Sequence, residues 1–180
     1  MSAARRTSFR RARPFPRVAQ FCATLTHRHS AEIDAHIQAL LANEDQWRLV
    51  AQLSTFDRAH HLNVHAALVA QGYADPDLLR AALLHDVGKA NGVQRVRLWH
   101  RIARVAGRRA APRLWRGLSQ SPGRFTAGLH LAEHHARLGA NKVRTAGGAE
   151  RCCDLIARHE QCPPTGDTLL DALIAADEEA

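Results

Sequence analysis

The sequence predicts an all-helical domain, on three observations. Beyond residue 30, apolar residues recur at three- and four-residue steps. Capping residues and Gly or Pro breakers separate these stretches, and neither an alternating strand pattern of useful length nor an internal repeat occurs.

Ser30 is placed as an N-cap, with Ile33, Ile37, Leu40 and Leu41 following on one face of a short helix that ends near Asn43. Ser54 or Thr55 caps the next helix, where Phe56, His60, Val64, Ala67 and Leu68 share a face. Asp75 before Pro76 is a helix start, because the carboxylate accepts orphan amides and proline fits the first turn. That helix runs through Leu78, Leu79, Ala82 and Leu83 to His85, and Gly88 terminates it just past Asp86. After a second break at Gly92, a helix bears Val96, Leu98, Ile102 and Val105, with Arg97, Arg101, Arg104 and Arg108 along one side. Pro112 and the segment 121–123 are breakers, and helices are expected over 125–138, 149–159 and 167–178.

The chain has 180 residues, 46% of them hydrophobic, enough for one core of its own without disulfide or metal staples. Its cysteines, Cys22, Cys152, Cys153 and Cys162, contain no C-x-x-C pair and give no disulfide framework, so a reducing cytoplasm is the expected location. No apolar run reaches the roughly 20 residues of a membrane span, and no signal peptide opens the chain. Arg5, Arg6, Arg10, Arg11, Arg13, Arg17 and Arg28 precede the first acid, Glu32, and account for nearly all of the +8 net charge. Residues 1–29 therefore read as a flexible basic tail and linker before a domain over 30–180, although arginine without acid also suits a transit peptide. A second acid-free stretch, from Val87 to Ala132, carries Lys89 and nine arginines.

Titratable residues on apolar helix faces carry the chemistry, since burying them is costly unless they are paired or bound to metal. His60 shares a face with Phe56 and Val64, His85 with Leu78 and Ala82, His135 with Leu131 and Leu138, His159 with Leu155 and Ile156, and Asp177 with Leu170 and Leu173. Imidazole nitrogen together with carboxylate oxygen suits manganese, iron, cobalt or zinc better than magnesium. Neighbouring residues point about 100° apart on a helix, so only one of His134 and His135 can face such an ion, and Leu131 and Leu138 favour His135.

D-R-A-H-H-L-N-V at residues 57–64, L-L-H-D-V-G-K at 83–89 and A-A-D at 175–177 together resemble the HD superfamily of metal-dependent phosphohydrolases, most closely its uncharacterised single-domain bacterial members. The resemblance implies a helical bundle in which His60, His85, Asp86 and Asp177 bind a divalent ion. His60 is preferred to His61 because it stands four residues before Val64. His135 and His159 resemble the histidines that hold a second ion in some members, with Asp86 bridging the two. Hydrolysis of a phosphoester by a metal-activated hydroxide follows, with Asp86 and Lys89 in the catalytic machinery and Lys89 facing phosphate or leaving group. Arg58, Lys142 and Arg144 are weaker phosphate candidates. The basic stretch suits a small anionic substrate such as a nucleotide.

Two alternatives stay open. One is a di-iron oxygenase on the same ligands. The other is a non-catalytic module whose arginine stripe and basic tail bind nucleic acid or anionic membrane, although an aromatic content of 5% leaves few stacking platforms for single strands.

Overall fold

The computed structural model describes residues 30–180; the basic tail, its possible targeting role and Cys22 lie outside them. Nine α-helices and one 3-10 turn follow in order: α1 Ser30–Leu40, α2 Glu44–Val50, α3 Thr55–Ala70, α4 Pro76–Leu84, the turn Val87–Lys89, α5 Leu98–Ala110, α6 Pro112–Gln120, α7 Ala127–Thr145, α8 Glu150–Arg158 and α9 Thr168–Glu179. Among the described residues the only β pairing is an isolated bridge between Ala90 and Arg95, so the all-α expectation holds. No helix among them is long and apolar enough to cross a membrane.

Local chemistry sets the helix starts. Ser54 accepts from the Asp57 amide, Asp75 from the amides of Asp77 and Leu78, and Asp167 from that of Leu170. The core is built from Leu68, Leu78, Leu83, Leu155, Ile156 and Leu173, all essentially inaccessible to solvent. Helix α7 packs along α8 and against the turn that follows the His85-Asp86 pair.

Several sequence expectations change. Helix α2 was not anticipated; Asn43, read as the end of the first helix, is its N-cap and accepts from the Gln46 amide at 2.9 Å. Pro112 does not end regular structure but opens α6 as its first residue, where the missing amide costs nothing. Helix α7 starts two residues later than expected and continues to Thr145, because Gly139 inside it faces the turn.

Gly88 also has a different role. It is not among the glycines with positive φ, so it is no left-handed cap. A Cβ there would lie 1.9 Å from the carbonyl oxygen of His135 and 2.7 Å from the amide nitrogen of Gly139. Its hydrogen is what lets the turn touch the α7 backbone.

Helix α5 is turned opposite to expectation. Leu98, Ile102 and Val105 face solvent, while Arg101 and Arg104 face the protein, where Arg101 meets Asp57 and Arg104 meets Glu133 and Glu160. The carboxylates available on α3 and α7 decide this orientation.

Candidate metal centre

Five helix segments converge on one pocket. At the more exposed edge of the cluster, His60 on α3 places Nε2 2.7 Å from Asp177 Oδ1 on α9. His85, capping α4, sits below them with Nε2 3.3 Å from Asp177 Oδ1 and 3.5 Å from Asp86 Oδ2. On the far side, Asp86 Oδ1 lies 3.3 Å from His135 Nε2 on α7 and 3.7 Å from His159 Nε2 at the end of α8. The six ligand candidates read from the sequence are thus together, and His135 rather than His134 is the one that enters.

The donor atoms form two groups able to hold a metal ion, His60 with His85 and Asp86, and Asp86 with His135 and His159, and within each all donors lie within 4.8 Å of one another. Asp86 belongs to both. Asp177 joins through its contacts to His60 and His85.

The backbone orients the imidazoles. Nδ1 of His85, His135 and His159 lies 3.0, 3.1 and 2.7 Å from the carbonyl oxygens of Ala82, Ala132 and Ile156, each three residues back. A carbonyl only accepts, so Nδ1 carries the proton and donates, and Nε2 is the nitrogen turned to the pocket. The buried atoms His85 Nε2 and Asp86 Oδ1 have no hydrogen-bond partner. Such orphans are uncommon in proteins, and a cation between them would satisfy both. The residues present therefore fit a divalent ion.

Electrostatics reinforce this. Burial alone would lower the His85 imidazole, but the carboxylates of Asp86 and Asp177 outweigh it and raise it to about 10. Burial would raise Asp86, yet Lys89 and His85 hold it well below the usual carboxylate range. Asp177 is likewise held down against its burial, by the charge of His85 and by a hydrogen bond from His60. Burial and the nearby His85 charge push His159 down to about 4, so it is neutral at pH 7. A pocket that stabilises a proton on its central imidazole and two ionised carboxylates is one arranged for positive charge.

Lys89 places its ammonium on Asp86 Oδ2. Arg58, Lys142 and Arg144 contact Asp34, the Ala90 carbonyl and Glu150 respectively.

Three residues were missed. His61 is fully buried, with Nδ1 2.8 Å from the Leu83 carbonyl oxygen, Nε2 unpaired, and its ring 4.6 Å from that of His85. The buried face of α3 runs through Asp57, His61, Val64 and Leu68, and His60 lies partly buried at its edge. The i, i+4, i+7, i+11 spacing of those four residues was the available signal. Asp57 is buried and paired with Arg101 and Ser54. Glu160 brings Oε1 within 3.6 Å of His135 Nε2 while Arg104 holds it, and only its position next to His159 hinted at this.

Fold and site together define an all-α protein whose buried histidines and aspartates form a site able to hold a divalent metal ion. Comparison with protein-family models, with curated proteins and with solved structures found no match for this chain.

Proposed function

We propose that the chain is a metal-dependent phosphohydrolase of the HD type, acting on a phosphoester of a nucleotide or another small anionic phosphate. The observation that carries this reading is the sharing of Asp86 between two donor groups, with its Oδ1 buried and unpaired. In this reading His60, His85, Asp86 and Asp177 hold one ion, and His135, His159 and Asp86 a second. Divalent ions held there would lower the pKa of a water molecule and neutralise charge developing on phosphoryl oxygens.

The chain's own groups supply orientation and charge. Carbonyls of Ala82, Ala132 and Ile156 fix the imidazole tautomers, so the ligand set needs no rearrangement to present Nε2. Lys89 neutralises Asp86 and holds its ammonium beside the proposed ligands, where it would meet a phosphoryl or leaving-group oxygen. Arg101, braced by Asp57, adds a second positive charge within electrostatic reach of Asp86 and Asp177. Together they favour an anionic substrate.

Of the arginine stripe on which the non-catalytic reading for nucleic acid or anionic membrane rests, Arg101, Arg104 and Arg108 are paired with Asp57, Glu133 and Glu160, and Arg97 is exposed with no carboxylate partner among the described residues. The test is turnover of phosphomonoesters, nucleotides and cyclic dinucleotides by protein loaded with manganese, iron or cobalt, beside Asp86→Asn. Hydrolysis of one class, lost in the variant, is expected; equal turnover by both proteins ends the proposal. Iron-loaded protein that consumes oxygen and leaves every phosphoester intact would replace it with the oxygenase reading.

A further inference from the structure

The outward face of α5 and its flanking loops expose more apolar surface than a solvated helix calls for. Leu98, Trp99, Ile102 and Val105 fall on one side of the helix at i, i+1, i+4 and i+7, and Ile102 is 61% exposed. Val93 and Phe125, 91% and 86% exposed, line a groove with Trp99 at the N-terminal end of that face. Single exposed apolar residues are ordinary, whereas a contiguous set that includes two large aromatics marks a contact surface.

The rim of this patch is cationic. Arg95, Arg97, Arg109 and Arg124 are exposed and pair with no carboxylate among the described residues. They belong to a stretch from Val87 to Ala132 that holds no acid at all.

We propose that this face docks on an anionic lipid bilayer, with the aliphatic and aromatic side chains entering the headgroup boundary and the arginines meeting lipid phosphates. An amphipathic helix with an apolar face, interfacial aromatics and basic flanks is the sequence type that lies in that boundary. Charge complementarity selects this occupant. A second copy docked through the same face would set one arginine rim against another. The basic residues before Glu32 carry the same sign and are repelled for the same reason. A nucleic acid would answer the arginines but leave Val93, Leu98, Ile102 and Val105 without apolar partners.

The experiment is sedimentation of the full chain with vesicles of phosphatidylcholine alone or mixed with phosphatidylglycerol, for wild type, Ile102→Glu and Ile102→Leu. Because Ile102 is exposed, thermal unfolding should be the same in all three; Trp99→Ala serves as the second test if Ile102→Glu misfolds. The expected result is binding at least about tenfold tighter to the anionic vesicles, lost by about tenfold or more in Ile102→Glu or Trp99→Ala and kept in Ile102→Leu. Absence of anionic binding, equal binding to both vesicles, or full binding by Ile102→Glu would overturn the proposal. So would self-association abolished by Ile102→Glu without vesicle binding, which would assign the face to a second copy.

Discussion

Replacing Gly88 by alanine would strike a close backbone contact between α7 and the turn that follows Asp86. The added Cβ would lie 1.9 Å from the His135 carbonyl oxygen, and ordinary contact begins near 3.4 Å, so turn and helix must separate by about 1.5 Å. The obstructing atoms are backbone, so no rotamer change relieves them. His135 Nε2 stands 3.3 Å from Asp86 Oδ1, and the same separation would carry it to nearly 5 Å. Two donors bonded to one ion at about 2.1 Å each span at most about 4.2 Å, so the pair could no longer share one. Overpacking of this kind costs about 3 kcal/mol, or roughly 6–12 °C in Tm for a chain of this size. Thermal denaturation and metal content per chain measure both effects, with Gly117→Ala on α6 as control, since a Cβ there meets nothing within 4 Å. A Gly88→Ala protein with unchanged Tm and full metal content would refute this account of the turn.

Three further outcomes follow from the site and core. Because His85 is raised to about 10 by Asp86 and Asp177, an incoming ion must displace a proton, so apparent affinity should rise about tenfold per pH unit from pH 6.5 to 8.5. The metal-free protein should show the opposite trend: the raised imidazole contributes stability below its unfolded pKa of about 6.5 that fades as pH climbs towards 10. Calorimetric titration in two buffers of different ionisation heat should find about one proton released at pH 7.5 for the ion that His85 binds, and finding none would contradict the assignment. Arg101→Met strands the buried Asp57 carboxylate with only Ser54 for company, and should cost about 2 kcal/mol in urea denaturation; an unchanged midpoint would show that the pair carries no load. Burial pushes the Cys152 thiol up to about 12 and Cys153 upward as well, so at pH 8 a thiol reagent followed by peptide mapping should modify exposed Cys162 and spare both.

Helix periodicity made the all-α class and most element positions legible, because Leu78, Leu83, Leu155, Ile156 and Leu173 are core residues spaced as a helix requires. Five of the six candidate ligands were legible because each interrupts an apolar face, and Asp86 through its place beside His85 in the H-D-V-G-K motif. Helix α6 was not, since Arg113, Arg116 and Gly117 surround its few apolar residues and Leu114 and Leu118 point outward. The inversion of α5 was hidden because a helix with arginines on one side and aliphatics on the other reads as basic side out. Only the positions of Asp57, Glu133 and Glu160 on other elements reveal that the arginines turn inward. His61 was passed over for a similar reason, as the choice between adjacent histidines depends on how α3 rolls against α4.

The central claim, that these residues hold a metal ion, is tested most directly by elemental analysis of protein dialysed after loading with manganese, cobalt or zinc, for wild type and Asp86→Asn. One or two ions per chain in the wild type, lost in a variant that keeps the helical signal of the wild type, is the predicted result. Equal metal content in the two proteins, or none in either, would contradict it.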